Sequence, residues 1–320
     1  MRWDTTILDD TEKITLGLRA LYRQYGFLRY RTEKFEEYDL YAQNKDFLIS
    51  KNVITFTDTD GKLMALKPDV TLSVVKNLRD APEEQRKLCY NETVYRVSKG
   101  TGTFRELKQT GLECIGRVDT AAVGEVLLLA AKSLELCAGS YMMVISNLDI
   151  LTRLLQEALP DPELHSEALG CIEGKNAAGV AALCRRAGTA PEKAGALVEL
   201  TQLFGSPGQV MPRLRELCKG RELSGACAEL EAVLRILRDN GFEERVRLDF
   251  SSVGNPNYYN GILFKGFVEG LPDSVLSGGR YDGLMRRMGK KSRAVGFAVY
   301  LDRLERLGRS GNGGVVFQND

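Results

Sequence analysis

Residues 258–270, YYNGILFKGFVEG, decide the fold. Their apolar and aromatic content, bounded by glycines, is that of a strand. Strand character also marks RVRLDFSSV (245–253) and AVGFAVYL (294–301), and all three lie across a long helical block from the strands of the first half. Strand-rich segments thus bracket the helices instead of alternating with them, which favours an antiparallel α+β core over a doubly wound sheet. Tyr258 and Tyr259 follow an uncharged Gly-Asn-Pro-Asn loop. On a strand they project to opposite faces, so at most one lines a given cavity while the other packs in core.

Outward from this stretch, 151–243 is rich in Ala, Leu, Glu and Arg, with turn signals at 159–162, 205–208 and 240–241, and reads as a helical insertion. The core is then discontinuous, 1–150 and 244–310, and the glycine-rich 311–320 reads as a flexible tail. Ile14, Leu18, Leu21, Tyr22 and Tyr25 fall at helical spacing behind a cap at Asp10 or Thr11, with Gly26 just past the end. A hairpin is expected from Val53–Phe56 and Leu63–Leu66, and a longer one from KLCYNETVYR (87–96) and TFRELKQTGLECIG (103–116). The apolar helix 120–138 and the strand 141–147 follow.

Composition removes several function classes. Lysine and arginine total 44 against 43 acidic residues, a net charge of +1, so no basic footprint points to a polyanion. There is no run of 18 apolar residues and no apolar leader, so a cytoplasmic protein without membrane contact is expected. Seven cysteines without a C-x-x-C pair read as reduced, mostly buried thiols. His165, the one histidine, sits in a polar helical segment and reads as a surface residue, which argues against histidine catalysis and multi-histidine metal sites. No metal and no cofactor is expected.

Strand alternation places Arg105, Leu107, Gln109, Gly111, Glu113 and Ile115 on one face, so Gln109 and Glu113 project together. A glutamate among Leu112, Cys114 and Ile115 needs a partner: a ligand's ammonium group, or an internal ion pair with Arg96 or Arg105. Gly111 between them leaves room for a small ligand to approach the backbone. Asp69 and Thr71, just after Pro68, either cap the next helix or face a pocket. SKGTGT (98–103) is an anion cradle or a plain hairpin loop. In SGGRYDGL (277–284), Gly278 and Gly279 allow a bend or close backbone approach, and Arg280 and Asp282 can pair with each other.

Singly these signals are unspecific, but their order is not. LKPDVT (66–71), Tyr95-Arg96 leading to TFRELKQTGLE, Tyr258-Tyr259-Asn260-Gly261, GGRYDGL and AVGFAVYLDRL (294–304) resemble the catalytic core of histidyl-tRNA synthetases. The resemblance implies a class II aminoacyl-tRNA synthetase-like antiparallel sheet flanked by helices, usually dimeric. It implies that Asp69, Gln109, Glu113 and Tyr259 contact histidine with Thr71 and Tyr258 close by, that Arg96 matches the arginine on the ATP α-phosphate, and that Arg303 matches the one on the last core motif.

The chain departs from that pattern where activation chemistry resides. Gly254 replaces the arginine opening the R-G-L-D-Y-Y motif, a kind of loss that costs about 2.7–4 kcal/mol of transition-state stabilisation. Ser98 replaces a glutamate, Glu33 a proline, and Tyr300 a glycine, crowding the place of an adenine. An anticodon-binding domain needs about 100 residues beyond the core, more than the chain has. The pattern therefore resembles the ATP phosphoribosyltransferase regulatory subunits of histidine biosynthesis. That resemblance implies no catalytic residues, free histidine as feedback effector at Asp69, Thr71, Arg96, Gln109, Glu113, Tyr258 and Tyr259, the short-form catalytic subunit as partner in a hetero-oligomer, homodimer contacts, and no tRNA. The alternatives are a minimal histidine-adenylating enzyme and a scaffold with an empty pocket.

Overall fold

The computed structural model describes residues 7–48, 52–98, 101–255 and 258–309. In the first half α1 (Asp10–Gln24) leads to β1 (Leu28–Arg29), β2 (Phe35–Glu37), α2 (Tyr38–Gln43), β3 (Thr55–Thr57), β4 (Leu63–Leu66), α3 (Val70–Asn77), β5 (Gln85–Val97), β6 (Phe104–Gly116), α4 (Thr120–Cys137) and β7 (Tyr141–Asn147). Helices α5 (Leu148–Ala158), α6 (His165–Glu173), α7 (Ala177–Arg186) and α8 (Pro191–Gln202) follow, then β8 (Phe204–Gly205), α9 (Pro207–Cys218) and α10 (Ser224–Asp239). The chain returns through β9 (Val246–Asp249), β10 (Asn260–Val268), β11 (Leu276–Arg280), α11 (Asp282–Arg287), β12 (Arg293–Tyr300) and α12 (Leu301–Arg309).

The expected α+β class holds. Nine strands form one sheet in the order β1-β5-β6-β12-β11-β10-β7-β9-β8, and β2-β4-β3 form a small second sheet. The central strands β5 to β7 in that order are antiparallel, while β1 with β5 and β7 with β9 pair parallel, so the sheet is mixed. The helical stretch also adds to it, since β8 pairs with β9 at the edge. Both hairpins form, the longer one pairing thirteen-residue strands with Gln85 opposite Gly116 and Val97 opposite Phe104.

Local chemistry explains the boundaries. The cap of α1 is Asp9, not Asp10 or Thr11: its carboxylate accepts the Glu12 N–H (2.7 Å) and Glu12 accepts the Asp9 N–H (3.0 Å), a reciprocal pair that satisfies two otherwise orphaned donors. One apolar core joins α1, α4 and the helices from α5 to α10 to a face of the large sheet, with Leu112 and Cys114 of β6 turned into it. Glu113 and Ile115 alternate to the other face, where a second cluster gathers Tyr41, Val70, Tyr90, Tyr258 and Tyr281. All seven cysteines are free, and burial pushes the Cys114 and Cys218 thiols up to about 12, so neither is a thiolate near neutrality. His165 is half-buried, its Nε2 bonded to the Leu159 carbonyl (2.8 Å). Residues 99–100 of the SKGTGT link and the tail 311–320 lie outside the described residues.

Candidate functional site

The second face of the sheet carries a cavity of about 370 Å³, and all seven expected residues, Asp69, Thr71, Arg96, Gln109, Glu113, Tyr258 and Tyr259, line it. Register builds its floor. Glu113 on β6 stands opposite Gly296 on β12, which stands opposite Gly279 on β11, which stands opposite Leu263 on β10. The two floor glycines are covered by pocket groups: a Cβ on Gly296 would lie 1.8 Å from Glu113 Oε2, and one on Gly279 would lie 2.7 Å from the Tyr259 ring. Glutamate and tyrosine therefore lie flat across the sheet only because no side chain rises beneath them.

Glu113 is 2% exposed and makes no ion pair with Arg96 or Arg105. Instead Oε1 accepts the Thr71 hydroxyl (2.8 Å) and Oε2 accepts the Tyr281 hydroxyl (2.6 Å). Burial pushes its carboxyl up to about 8 against the pull of those two bonds, with the Asp69 charge adding to the rise. A carboxyl so placed is largely neutral near pH 7 and gains from a cation brought beside it.

Asp69 fulfils both of its expected roles. It caps α3, accepting the Leu72 N–H at 2.9 Å, and it forms part of the cavity wall. Burial raises its pKa, opposed by the Leu72 bond and by the Arg96 charge. Arg96 donates from Nε to the Pro68 carbonyl (3.1 Å). Gln109 is 4% exposed, and its Nε2 has no hydrogen-bond partner among the described residues. A buried amide donor facing an open cavity is a polar group that a ligand acceptor would satisfy.

Two sequence expectations fail here, one at a strand boundary and one in the packing between strands. Tyr258 and Tyr259 both line the cavity, because β10 begins at Asn260 and the tyrosines sit in the turn before it, with ring centroids 4.5 Å apart. Gly111 gives no room to a ligand: a Cβ there would meet the Tyr90 hydroxyl at 2.4 Å, since Tyr90 is its register partner on β5. Arg303, matched only to the last core motif, is not among the residues that line the cavity. It bonds the Ser274 carbonyl, and its guanidinium lies 4.5 Å from the centre of the Tyr300 ring. Arg280 pairs with Asp282 (2.9 Å), as expected, and also with Glu229 (2.8 Å).

Sequence reasoning missed Tyr90, Tyr281, Ser277 and Lys265, which also line the cavity. Tyr281 lies within GGRYDGL, but nothing along the chain shows that it reaches Glu113. Burial holds the Tyr90, Tyr258, Tyr259 and Tyr281 hydroxyls well above their ordinary pKa, so the wall offers neutral hydroxyls. Gly254 and Tyr300 line the same space, the Tyr300 hydroxyl bonded to Ser277. Among the described residues no cluster of three His, Cys, Asp or Glu could hold a metal ion, and no helix is long and apolar enough to cross a membrane.

Comparison with known proteins agrees with this architecture. The histidyl-tRNA synthetase family model matches residues 8–304. The chain is 31% identical over 300 residues to the ATP phosphoribosyltransferase regulatory subunit of Thermoanaerobacter pseudethanolicus, covering 91% of this chain and 77% of that protein. A crystal structure of an ATP phosphoribosyltransferase regulatory subunit/histidyl-tRNA synthetase from Bacillus halodurans superposes with a TM-score of 0.83 at 24% identity, over 96% of this chain and 81% of that one. A chain of the ATP phosphoribosyl transferase (HisG:HisZ) complex from Thermotoga maritima superposes with a TM-score of 0.70 at 21% identity, over 91% and 97%.

Proposed function

The chain belongs to the ATP phosphoribosyltransferase regulatory subunit family, on the histidyl-tRNA synthetase fold, and from that premise we propose that its cavity is a receptor for free histidine that reports occupancy to a catalytic partner. As a member of that family it is a non-catalytic, regulatory subunit of ATP phosphoribosyltransferase, required for the first step of histidine biosynthesis. The partner is the short-form catalytic subunit, in a hetero-oligomer that also carries homodimer contacts between copies of this chain. The assembly is cytoplasmic and engages no tRNA.

The observation that carries the proposal is the buried polar set of the cavity: Asp69, Glu113 with its raised carboxyl, and the orphaned Gln109 amide line one space. Ammonium against Asp69 or Glu113, and imidazole against Gln109, Glu113 and Tyr259, would supply the missing cation and acceptor. Inhibition requires that histidine bind the inactive arrangement of the assembly more tightly than the active one, with a coupling of about 1–3 kcal/mol. Reciprocally, substrates on the catalytic partner weaken histidine binding.

Co-expression with a short-form catalytic subunit, assayed with and without histidine, tests this. The expected result is activity that needs both chains and falls with histidine. Histidine-dependent exchange of pyrophosphate into ATP by the isolated chain would instead establish an adenylating enzyme. An assembled complex that gives no heat with histidine would establish a scaffold.

A further inference from the structure

At the end of the cavity away from Glu113 lies Lys265, on the same face of β10 as Leu263 and in register with Ser277 on β11 and Val144 on β7. It also borders a neighbouring cavity of about 310 Å³ beside Asp249. Among the described residues its ammonium has no hydrogen-bond or ion-pair partner. The aspartate that shares the neighbouring cavity is already occupied: Asp249 Oδ1 accepts the Ser251 N–H (2.9 Å) and hydroxyl (2.6 Å), and Oδ2 accepts Lys175 (2.8 Å). Glu173, across the neighbouring cavity, is solvent-exposed, and the Ser277 hydroxyl is engaged with Tyr300. Gly254 brings no charge to this end, and Arg96 stands at the other, against Pro68 and under the influence of Asp69.

The cavity is thus polarised, with Asp69 and Glu113 at one end and an uncommitted lysine at the other. Its length fits a zwitterion. Glu113 Oε2 overhangs Gly296, and Gly296 is two strands across and two residues along from Lys265, about 12 Å between backbones. The ammonium and carboxylate of an α-amino acid lie about 3 Å apart, so with a hydrogen bond of about 2.9 Å at each end they cover about 9 Å, and the lysine side chain, with a reach of roughly 6 Å, covers the remaining ~3 Å. Building on the receptor function proposed above, we infer that Lys265 receives the carboxylate of the amino-acid ligand and sets the pocket's preference for a free amino acid over its decarboxylated amine.

Calorimetry of the full chain with histidine and with histamine, which lacks only the carboxylate, tests this. The wild-type chain is expected to bind histidine at least tenfold more tightly than histamine. Lys265→Met is expected to lower histidine affinity at least tenfold while leaving histamine unchanged, so that the preference disappears. Equal affinity of the wild-type chain for the two ligands overturns the assignment without recourse to any variant. So does a Lys265→Met chain that keeps full histidine affinity, or one that loses both ligands alike, although histidine would remain the ligand in each case. A wild-type chain that binds neither removes the receptor itself, and this assignment with it.

Discussion

Replacing Glu113 by glutamine probes the most telling group of the pocket. With its carboxyl raised to about 8 by burial, only about a tenth of the chains carry the charge at pH 7, and ionising the remainder costs on the order of 1 kcal/mol. A ligand whose ammonium rests against Glu113 needs the ionised form. Histidine affinity should therefore rise about fivefold between pH 7 and pH 8, an interval in which imidazole is mostly neutral, and about 0.9 proton should be released per ligand bound at pH 7. Calorimetry in buffers of different ionisation enthalpy measures both. Glutamine keeps the shape and loses the charge, so its profile should be flat. At pH 8 it should bind about 10- to 150-fold more weakly, the worth of a hydrogen bond to a charged group. Wild-type affinity that stays level or falls from pH 7 to 8, or a glutamine variant that binds histidine undiminished at pH 8, would refute the reasoning.

The same group acts on stability with the opposite sense. A carboxyl raised from its ordinary 4.5 to about 8 favours the folded chain when protonated. The ligand-free protein should lose stability as pH climbs from about 4.5 through 8, by up to about 5 kcal/mol, because the fold holds a proton that the unfolded chain releases. At its fully buried position no solvent screens the group, and Asp69, Arg96, Lys265 and the neutral tyrosines are the other ionisable groups that line the cavity. Glu113→Gln, neutral throughout, should show a smaller loss in urea titrations repeated across this range.

Gly296→Ala places a Cβ 1.8 Å from Glu113 Oε2 and 2.5 Å from the Leu112 carbonyl, so the carboxylate must leave Thr71 and Tyr281. Histidine heats should weaken more than tenfold, and urea unfolding should show a loss of about 1–3 kcal/mol. Glu92→Gln should cost about 3–5 kcal/mol by the same measurement, because Lys67, wholly buried and 2.8 Å from Glu92, keeps an uncompensated charge; removing both with Lys67→Met and Glu92→Leu should recover most of it. Asp9→Ala removes the capping box of α1, and a loss of about 1 kcal/mol with unchanged histidine affinity is expected, α1 being absent from the pocket lining.

What was legible in the sequence follows the range of the forces involved. The period-2 pattern of β6 is local, so the shared projection of Gln109 and Glu113 could be read from one segment. The partners of Glu113 could not. Thr71 is 42 residues away in sequence and Tyr281 is 168, and only the folded sheet brings them together. Gly111 was misread for the same reason, since Tyr90 fills its space from the neighbouring strand. The tyrosine pair depended on a strand boundary one residue away, and strand parity reverses its consequences with each such shift. Lys265 was silent because an unpaired cation is recognisable only once the surrounding carboxylates are seen to be engaged elsewhere.

The departures from the synthetase pattern are held by the backbone and not only by side-chain identity. Gly254 adopts φ +62°, in the left-handed region, and a Cβ there would lie 2.9 Å from Leu263 Cδ2. An arginine at this position would carry about 1–3 kcal/mol of backbone strain and would have to displace Leu263 from the cavity wall. Tyr300 is held by its side chain, its hydroxyl bonded to Ser277 and its ring against Arg303, so its bulk forms part of the cavity wall. The site thus differs from the synthetase pattern at one end, where Gly254 takes a glycine conformation, while at the other Asp69, Gln109 and Glu113 are buried and line one space. Such a division of constraint suits a receptor, because recognition needs only the polar groups that meet the ligand, whereas activation would also need charge where Gly254 stands and space where Tyr300 stands.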